Sequence, residues 1–240
     1  MATDMTGKTI LVTGATGNVG SAVVRAFAAT GARVALVDSN ADRTVQLLAE
    51  LGGDTGHHLG FPADLSDPHA VDDLIKHVSD HFGPISALAN TVGGYAAGQP
   101  AHEAGLDVWD KMMNLNARLT FILATKVAKH MLDHNVQGSI NTIIARAALK
   151  GAANMAAYTA SKAAVLRLVE SMALELRDNG IRVNGISPSI IDTPPNRQAM
   201  PNADPNKWVK PIEVADLMVF LASDQASAIT GAHIEINARS

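Results

Sequence analysis

Short runs of β-branched and aliphatic residues alternate along this chain with longer stretches of helical periodicity, the pattern of a parallel sheet covered by helices on both faces. The pattern predicts strands at Thr9–Thr13, Arg33–Val37, His58–Phe61, Ile85–Ala89, Ser139–Ile144, Ile181–Ile186 and Ala232–Ile236. Helices are expected between them: one ending near Gly31, then Ala41–Leu51 closed by Gly52 and Gly53, and one from Asp67-Pro68 to Phe82. An Asp–Pro step reads as an N-cap followed by proline at the first helical position. Further helices are expected over Leu106–His134, Met155–Asn179 and Ile212–Ser223. Two stretches lack periodicity: the glycine-rich Val92–Gly98, and Ser187–Val209 with its five prolines. A structureless stretch as long as the second is usually a lid or a binding loop. The expected architecture is α/β: one doubly wound, seven-stranded parallel sheet in a single domain spanning residues 1–240, with the substrate loop at about 187–209.

Composition narrows the function classes. A net charge of −4 leaves no basic footprint for nucleic acid. No uninterrupted apolar run reaches the length of a membrane span, and Met1–Lys8 does not have the layout of a secretory signal, so a cytoplasmic location is expected. There are no cysteines, and the nine histidines show no ligand spacing; no metal site is expected.

Thr13-Gly14-Ala15-Thr16-Gly17-Asn18-Val19-Gly20 falls at the first strand-to-helix junction. Glycines there let the backbone approach a pyrophosphate, and a helix N-terminus presents unpaired N–H groups to it. The spacing is G-x-x-G-x-x-G, not the G-x-G-x-x-G of the dinucleotide fingerprint, so the signal rests on context. Asp38 supplies that context: an acid ending the second strand can accept both hydroxyls of an adenosine ribose. It would repel a 2′-phosphate, and Ser39 and Asn40 bring no positive charge. NAD(H) is therefore favoured, with NADP(H) kept open because Arg43 lies one turn into the next helix.

Tyr158 and Lys162 are four residues apart on an expected helix and so share one face. An ammonium beside a phenol favours the phenolate, so a lowered tyrosine pKa is expected, suited to proton transfer with an alkoxide.

Thr13-Gly-x-x-Gly, Asp64-Leu65, Asn90-Thr91-x-Gly93, Asn116, Tyr158-x-x-x-Lys162 and Arg182-Val183-Asn184 occur in this order over nearly the whole chain. The set resembles the short-chain dehydrogenase/reductase family. The resemblance implies a Tyr–Lys pair assisted by Asn116, which would hold a proton-relaying water, with Asn114 as a competing choice. It implies that Asp64 contacts adenine, with Leu65 beside it, that Asn90 shapes the adjoining loop, and that Lys162 also holds the nicotinamide ribose. Pro188, Ile191 and Thr193 would border the nicotinamide. A homodimer or homotetramer is implied too, with the alanines at 152, 153, 156, 157, 160, 163 and 164 read as close helix packing.

One position departs from the family. Its usual serine, thirteen residues before the tyrosine, is Ala145 here. Ala145–Met155 and Asp192–Trp208 resemble the corresponding segments of dihydropteridine reductases, as does Gly93-Gly94-Tyr95. Tyr95, Ala145, Arg146 and Asn154 become candidate substrate contacts, Arg146 for an anionic group, although solvent exposure is the simpler reading of that side chain. The expected activity is hydride transfer between nicotinamide and a small carbonyl, imine or quinonoid, pterin-like substrate. The alternatives are an ordinary carbonyl or 3-oxoacyl reductase, and a non-catalytic NAD(H)-sensing protein.

Overall fold

The computed structural model describes residues 3–53 and 56–240. One seven-stranded, wholly parallel sheet runs in the order β3-β2-β1-β4-β5-β6-β7. The strands are β1 (Thr9–Thr13), β2 (Arg33–Asp38), β3 (His58–Pro62), β4 (Ala87–Asn90), β5 (Ser139–Ile143), β6 (Arg182–Pro188) and β7 (His233–Ile236). β1, β4 and β5 are buried almost throughout because both faces of the sheet are covered. On one face lie α3 (Pro68–Phe82), α5 (Leu119–Asp133) and α6 (Ala156–Leu176), around Leu74, Leu123 and Val169. On the other lie α1 (Gly20–Ala29), α2 (Ala41–Glu50) and α8 (Pro211–Ala222), around Phe27, Leu47 and Met218. Strand order reverses between β1 and β4, and in open α/β sheets that reversal opens a ligand crevice at the carboxyl ends of the strands.

Local signals place the helices. The Asp67 carboxylate accepts the His69 N–H at 2.9 Å, with Pro68 opening α3. The Asn40 side chain accepts the Arg43 N–H and starts α2. Pro211 opens α8 one residue before the expected start, with the Glu213 carboxylate accepting the Lys210 N–H.

Three expectations are corrected. The helix expected over Leu106–His134 is α4 (Leu106–Met112), a π-helical turn at Met113–Arg118, then α5. The fourth strand begins at Ala87 because the Ile85 N–H donates to His130 Nε2 at 3.1 Å instead of to a strand. Ser187–Val209 is not structureless. β6 runs on to Pro188, Thr193 caps a short helix α7 (Pro194–Ala199), and Pro205–Lys207 form a 3-10 turn. Residues 237–240 lie across this segment. The Arg239 N–H donates to the Lys207 carbonyl, the Arg239 guanidinium to the Asn206 carbonyl, and the Ser189 hydroxyl meets that of Ser240.

Candidate active site

At the end of β1 the turn folds back on itself. Gly14 has φ +66, in the left-handed region that favours glycine. A Cβ on Gly20 would stand 1.9 Å from the Gly14 carbonyl oxygen, so Gly20 serves the contact between α1 and the turn. Gly17 and Asn18 are exposed, and α1 starts at Gly20 after Val19 with no side chain capping its first N–H groups. That arrangement fits a pyrophosphate. The Thr91 hydroxyl donates to the Thr13 carbonyl at 2.8 Å and ties the ends of β1 and β4 together.

Asp38 stands beside this turn. Its Oδ2 accepts the Thr16 N–H at 3.0 Å and its Oδ1 the Asn40 N–H at 3.2 Å, leaving lone pairs for two ribose hydroxyls. Buried Asn90 accepts the Thr13 hydroxyl at 2.8 Å and donates to the hydroxyls of Thr120 and Thr142. Asp64 is exposed and accepts from both the N–H and the hydroxyl of Ser66, which hold its pKa below the usual carboxylate value; Leu65 beside it is buried.

Tyr158 and Lys162 occupy the first turns of α6. The Lys162 side chain is buried, and its ammonium donates to the Ile143 carbonyl at the end of β5, 3.1 Å away. Burial lowers its pKa to about 8. The expected lowering of the tyrosine is overturned: Tyr158 is pushed up to about 12. Burial is the larger cause, and the Tyr95 phenol nearby adds to it. The two rings meet edge to face with centroids 4.9 Å apart.

Asn116 is fully buried within the π-helical turn, whereas Asn114 is exposed. π turns of this kind recur at functional sites. Asn116 Oδ1 accepts the Gly94 N–H at 2.9 Å, and its Nδ2 donates to the Gly94 carbonyl and to Ser161 Oγ at 2.9 Å. Ser161, absent from the sequence-based candidates, bridges Asn116 to the Tyr158 carbonyl. Its signal was its place between Tyr158 and Lys162, but an inward face cannot be read from two residues. A Cβ on Gly93 would come within 3.2 Å of both Asn116 Oδ1 and Lys162 Nζ, so that glycine keeps the buried pair in position.

The remaining candidates lie at or after the carboxyl ends of β5 and β6. Ala145 is extended and precedes a 3-10 turn at Arg146–Ala148. Arg146 is exposed and sits 3.7 Å from Glu235 Oε2 on β7. Asn154 has φ +61, and its carbonyl accepts the Gly98 N–H. Pro188 ends β6, Ile191 bridges to Val209, and Thr193 is turned inward as the cap of α7. Among the described residues, no three His, Asp or Glu side chains gather as a metal site, and no helix is long and apolar enough to cross a membrane.

Comparison with known proteins agrees with this geometry. Residues 8–204 match the family model described as short chain dehydrogenase. The D-threitol dehydrogenase of Mycolicibacterium smegmatis is 38% identical, over 96% of this chain and 92% of the relative. The 2,3-dihydro-2,3-dihydroxybenzoate dehydrogenase of Bacillus subtilis is 32% identical, over 93% of this chain and 92% of the relative. A solved structure of a short chain dehydrogenase from Bacillus anthracis superposes with a TM-score of 0.88 at 24% identity, covering 98% of this chain and 96% of that one.

Proposed function

The chain belongs to the short-chain dehydrogenase family and is an NAD(P)-dependent oxidoreductase, and from that premise we propose that it moves hydride between NAD(H) and a small substrate with a hydroxyl on its reduced side and a carbonyl on its oxidised side. The observation that carries this is the gathering of half-buried Tyr158 with buried Ser161, Lys162 and Asn116 at the carboxyl edge of the sheet: Asn116 reaches Ser161, Ser161 the Tyr158 backbone carbonyl, and Lys162 the Ile143 carbonyl.

Bound nicotinamide supplies or accepts the hydride; this chain's side chains handle the proton and the alignment. With a pKa near 12, Tyr158 holds its proton at neutral pH and donates it from Oη to a growing alkoxide. Lys162, its ammonium donating to the Ile143 carbonyl, would hold the nicotinamide ribose and supply positive charge to that transfer. Asn116 holds residues 93–94 against α6, and we assign it the relay water. Gly14, Thr16, Gly17, Asn18, Val19 and Gly20 form the phosphate cradle, and Asp38 takes the ribose hydroxyls and disfavours a 2′-phosphate. Pro188, Ile191 and Thr193 border the nicotinamide, and Asp64, Leu65 and Asn90 the adenine side. Arg146 stands at the rim with its charge partly offset by Glu235.

Similarity to proteins named for dehydrogenation of D-threitol and of a dihydrodiol favours a hydroxyl–carbonyl pair. Ala145 favours a second reading, an activated imine or quinonoid, pterin-like acceptor, because a methyl group gives no hydrogen bond to a developing oxyanion. One steady-state screen separates them: NAD+ reduction with tetritols and vicinal diols, and NADH oxidation with ketones, imines and quinonoid dihydropterin. The highest kcat/KM is expected among the diols and tetritols. Preference for the quinonoid acceptor would establish the second reading, and nucleotide binding without turnover of any of them would point to a sensing protein.

A further inference from the structure

The carboxyl end of β6 is held from one side only. Its pairing with β5 stops at Ile186, opposite Ile143, whereas its pairing with β7 continues through Ser187 and Pro188, opposite Glu235 and Ile236. β7 is itself the last strand of the sheet and has four residues. Pro188 brings no N–H to that ladder, so backbone bonds thin out where β6 leaves the sheet.

A side-chain bond stands at this place. Ser187 is fully buried, and its hydroxyl meets Nε2 of half-buried His233 on β7 at 2.5 Å. Among the described residues that hydroxyl has no other hydrogen-bond partner, and leaving a buried hydroxyl unpaired is unfavourable. Glu235, two residues on and therefore on the same face of β7, stands 3.7 Å from Arg146. That second contact joins two exposed side chains and contributes little. The His233 contact is the buried one.

A bond that only steadied the fold would matter equally to every ligand. This one has a direction. Ser187 adjoins Pro188, one of the residues set against the nicotinamide, and the Ser189 N–H donates to the Ile236 carbonyl at 2.8 Å just beyond. The phosphate turn and Asp38 lie at the ends of β1 and β2, separated from β6 by β4 and β5.

We infer that His233 is a positioning residue for the nicotinamide end of the dinucleotide: through Ser187 it fixes Pro188, and it has no part in holding the adenosine diphosphate. The inference rests on the NAD(H) reading above and adds to it a side chain to which that reading gives no role.

Two ligands test it without turnover. NADH and ADP-ribose, which has the same adenosine diphosphate and no nicotinamide, are titrated calorimetrically into the parent protein and its variants. The parent should bind NADH at least tenfold more tightly than ADP-ribose. His233→Leu should cut that preference at least fivefold and leave the ADP-ribose Kd within twofold. Ser187→Ala, the milder change, should do the same and decides the matter if the leucine variant does not fold. The double variant should lose no more than either alone, since a single bond is removed. His233→Gln, whose amide can still meet the hydroxyl, should recover most of the preference. A parent protein without preference for NADH would refute the nicotinamide reading and the inference with it. A preference present in the parent and retained in both His233→Leu and Ser187→Ala would overturn the inference alone. So would an equal loss of both ligands, the mark of a general structural role.

Discussion

The ends of β1, β2 and β4 and the start of α6 face the same crevice but are built differently. On the first side the backbone is the working surface. The Thr16 N–H is aimed by Asp38, Thr91 clamps the Thr13 carbonyl, and Gly20 admits no side chain. On the second side the working groups are side chains in costly settings. Lys162 is an ammonium inside the protein, Tyr158 is a phenol held far from ionisation, and Asn154 takes a left-handed conformation. The difference teaches where each half is vulnerable. The first should fail through shape, the second through charge and proton affinity.

The largest effect expected is on turnover. Tyr158→Phe should lower kcat by a factor of about 10² to 10³ while the NADH Kd, followed by fluorescence titration, changes little. Lys162→Ala should damage both, and if it spared nucleotide affinity the ribose role would be lost from the second side.

Next comes a pH ramp in stability. The unfolded chain keeps the Lys162 proton up to about 10.5, whereas the folded chain releases it near 8. Stability should therefore rise with pH across that window, by roughly 3 kcal/mol. The raised Tyr158 works the other way, and its contribution is lost as pH climbs from 10 through about 12. Denaturant unfolding without nucleotide at several pH values reads the ramp, and Lys162→Met should flatten it. An equally steep ramp in that variant would place its origin elsewhere.

Gly20→Ala should cost about 1–3 kcal/mol of stability through its clash with the Gly14 carbonyl. Gly17→Ala, whose Cβ would meet only the Gly14 oxygen at 3.2 Å, should cost less and chiefly weaken nucleotide binding. Equal losses in thermal melts would erase the distinction between a packing glycine and a ligand glycine.

NADH should bind at least tenfold more tightly than NADPH, a gap of about 1.4 kcal/mol, and Asp38→Ala should narrow it. Equal Kd values in the parent protein would remove the acid's role.

The smallest effect tests Ala145. Ala145→Ser should raise kcat/KM for a simple ketone severalfold and leave a quinonoid acceptor nearly unchanged. Equal gains on both would mean that the alanine does not tune the substrate.

The same contrast governs what was legible in the residues. Strands such as Thr9–Thr13 and Ser139–Ile143 are short, apolar and bounded by turns, so pattern alone located them. Asp67 with Pro68 marked the start of α3 through local chemistry that needs no neighbour. The π turn at Met113–Arg118 escaped because one extra residue barely disturbs a helical period. Pro194-Pro195 hid α7, since prolines that open a helix look like prolines in a loop. In the candidate site, Tyr158, Lys162 and Asn116 were singled out by motif, whereas the hydrogen-bond partners Ser161 and the Ile143 carbonyl were not. The sense of the tyrosine shift was misjudged because spacing reveals a neighbouring charge but not the loss of water around both groups.

The hydrogen bonds from residues 237–240 to residues 189, 206 and 207 have a consequence in time. Arg239 follows its partner Asn206 by 33 positions, and Ser240 follows Ser189 by 51. At about 5–20 residues per second on a ribosome, the segment beyond β6 waits several seconds before its latch is made. β7, which must pair with β6 to bring that latch into place, is delayed with it. The carboxyl edge of the sheet is thus finished from β1 and β2 towards β6 and β7, and a nascent chain would hold the glycine turn after β1 before the segment beyond β6 could be fastened.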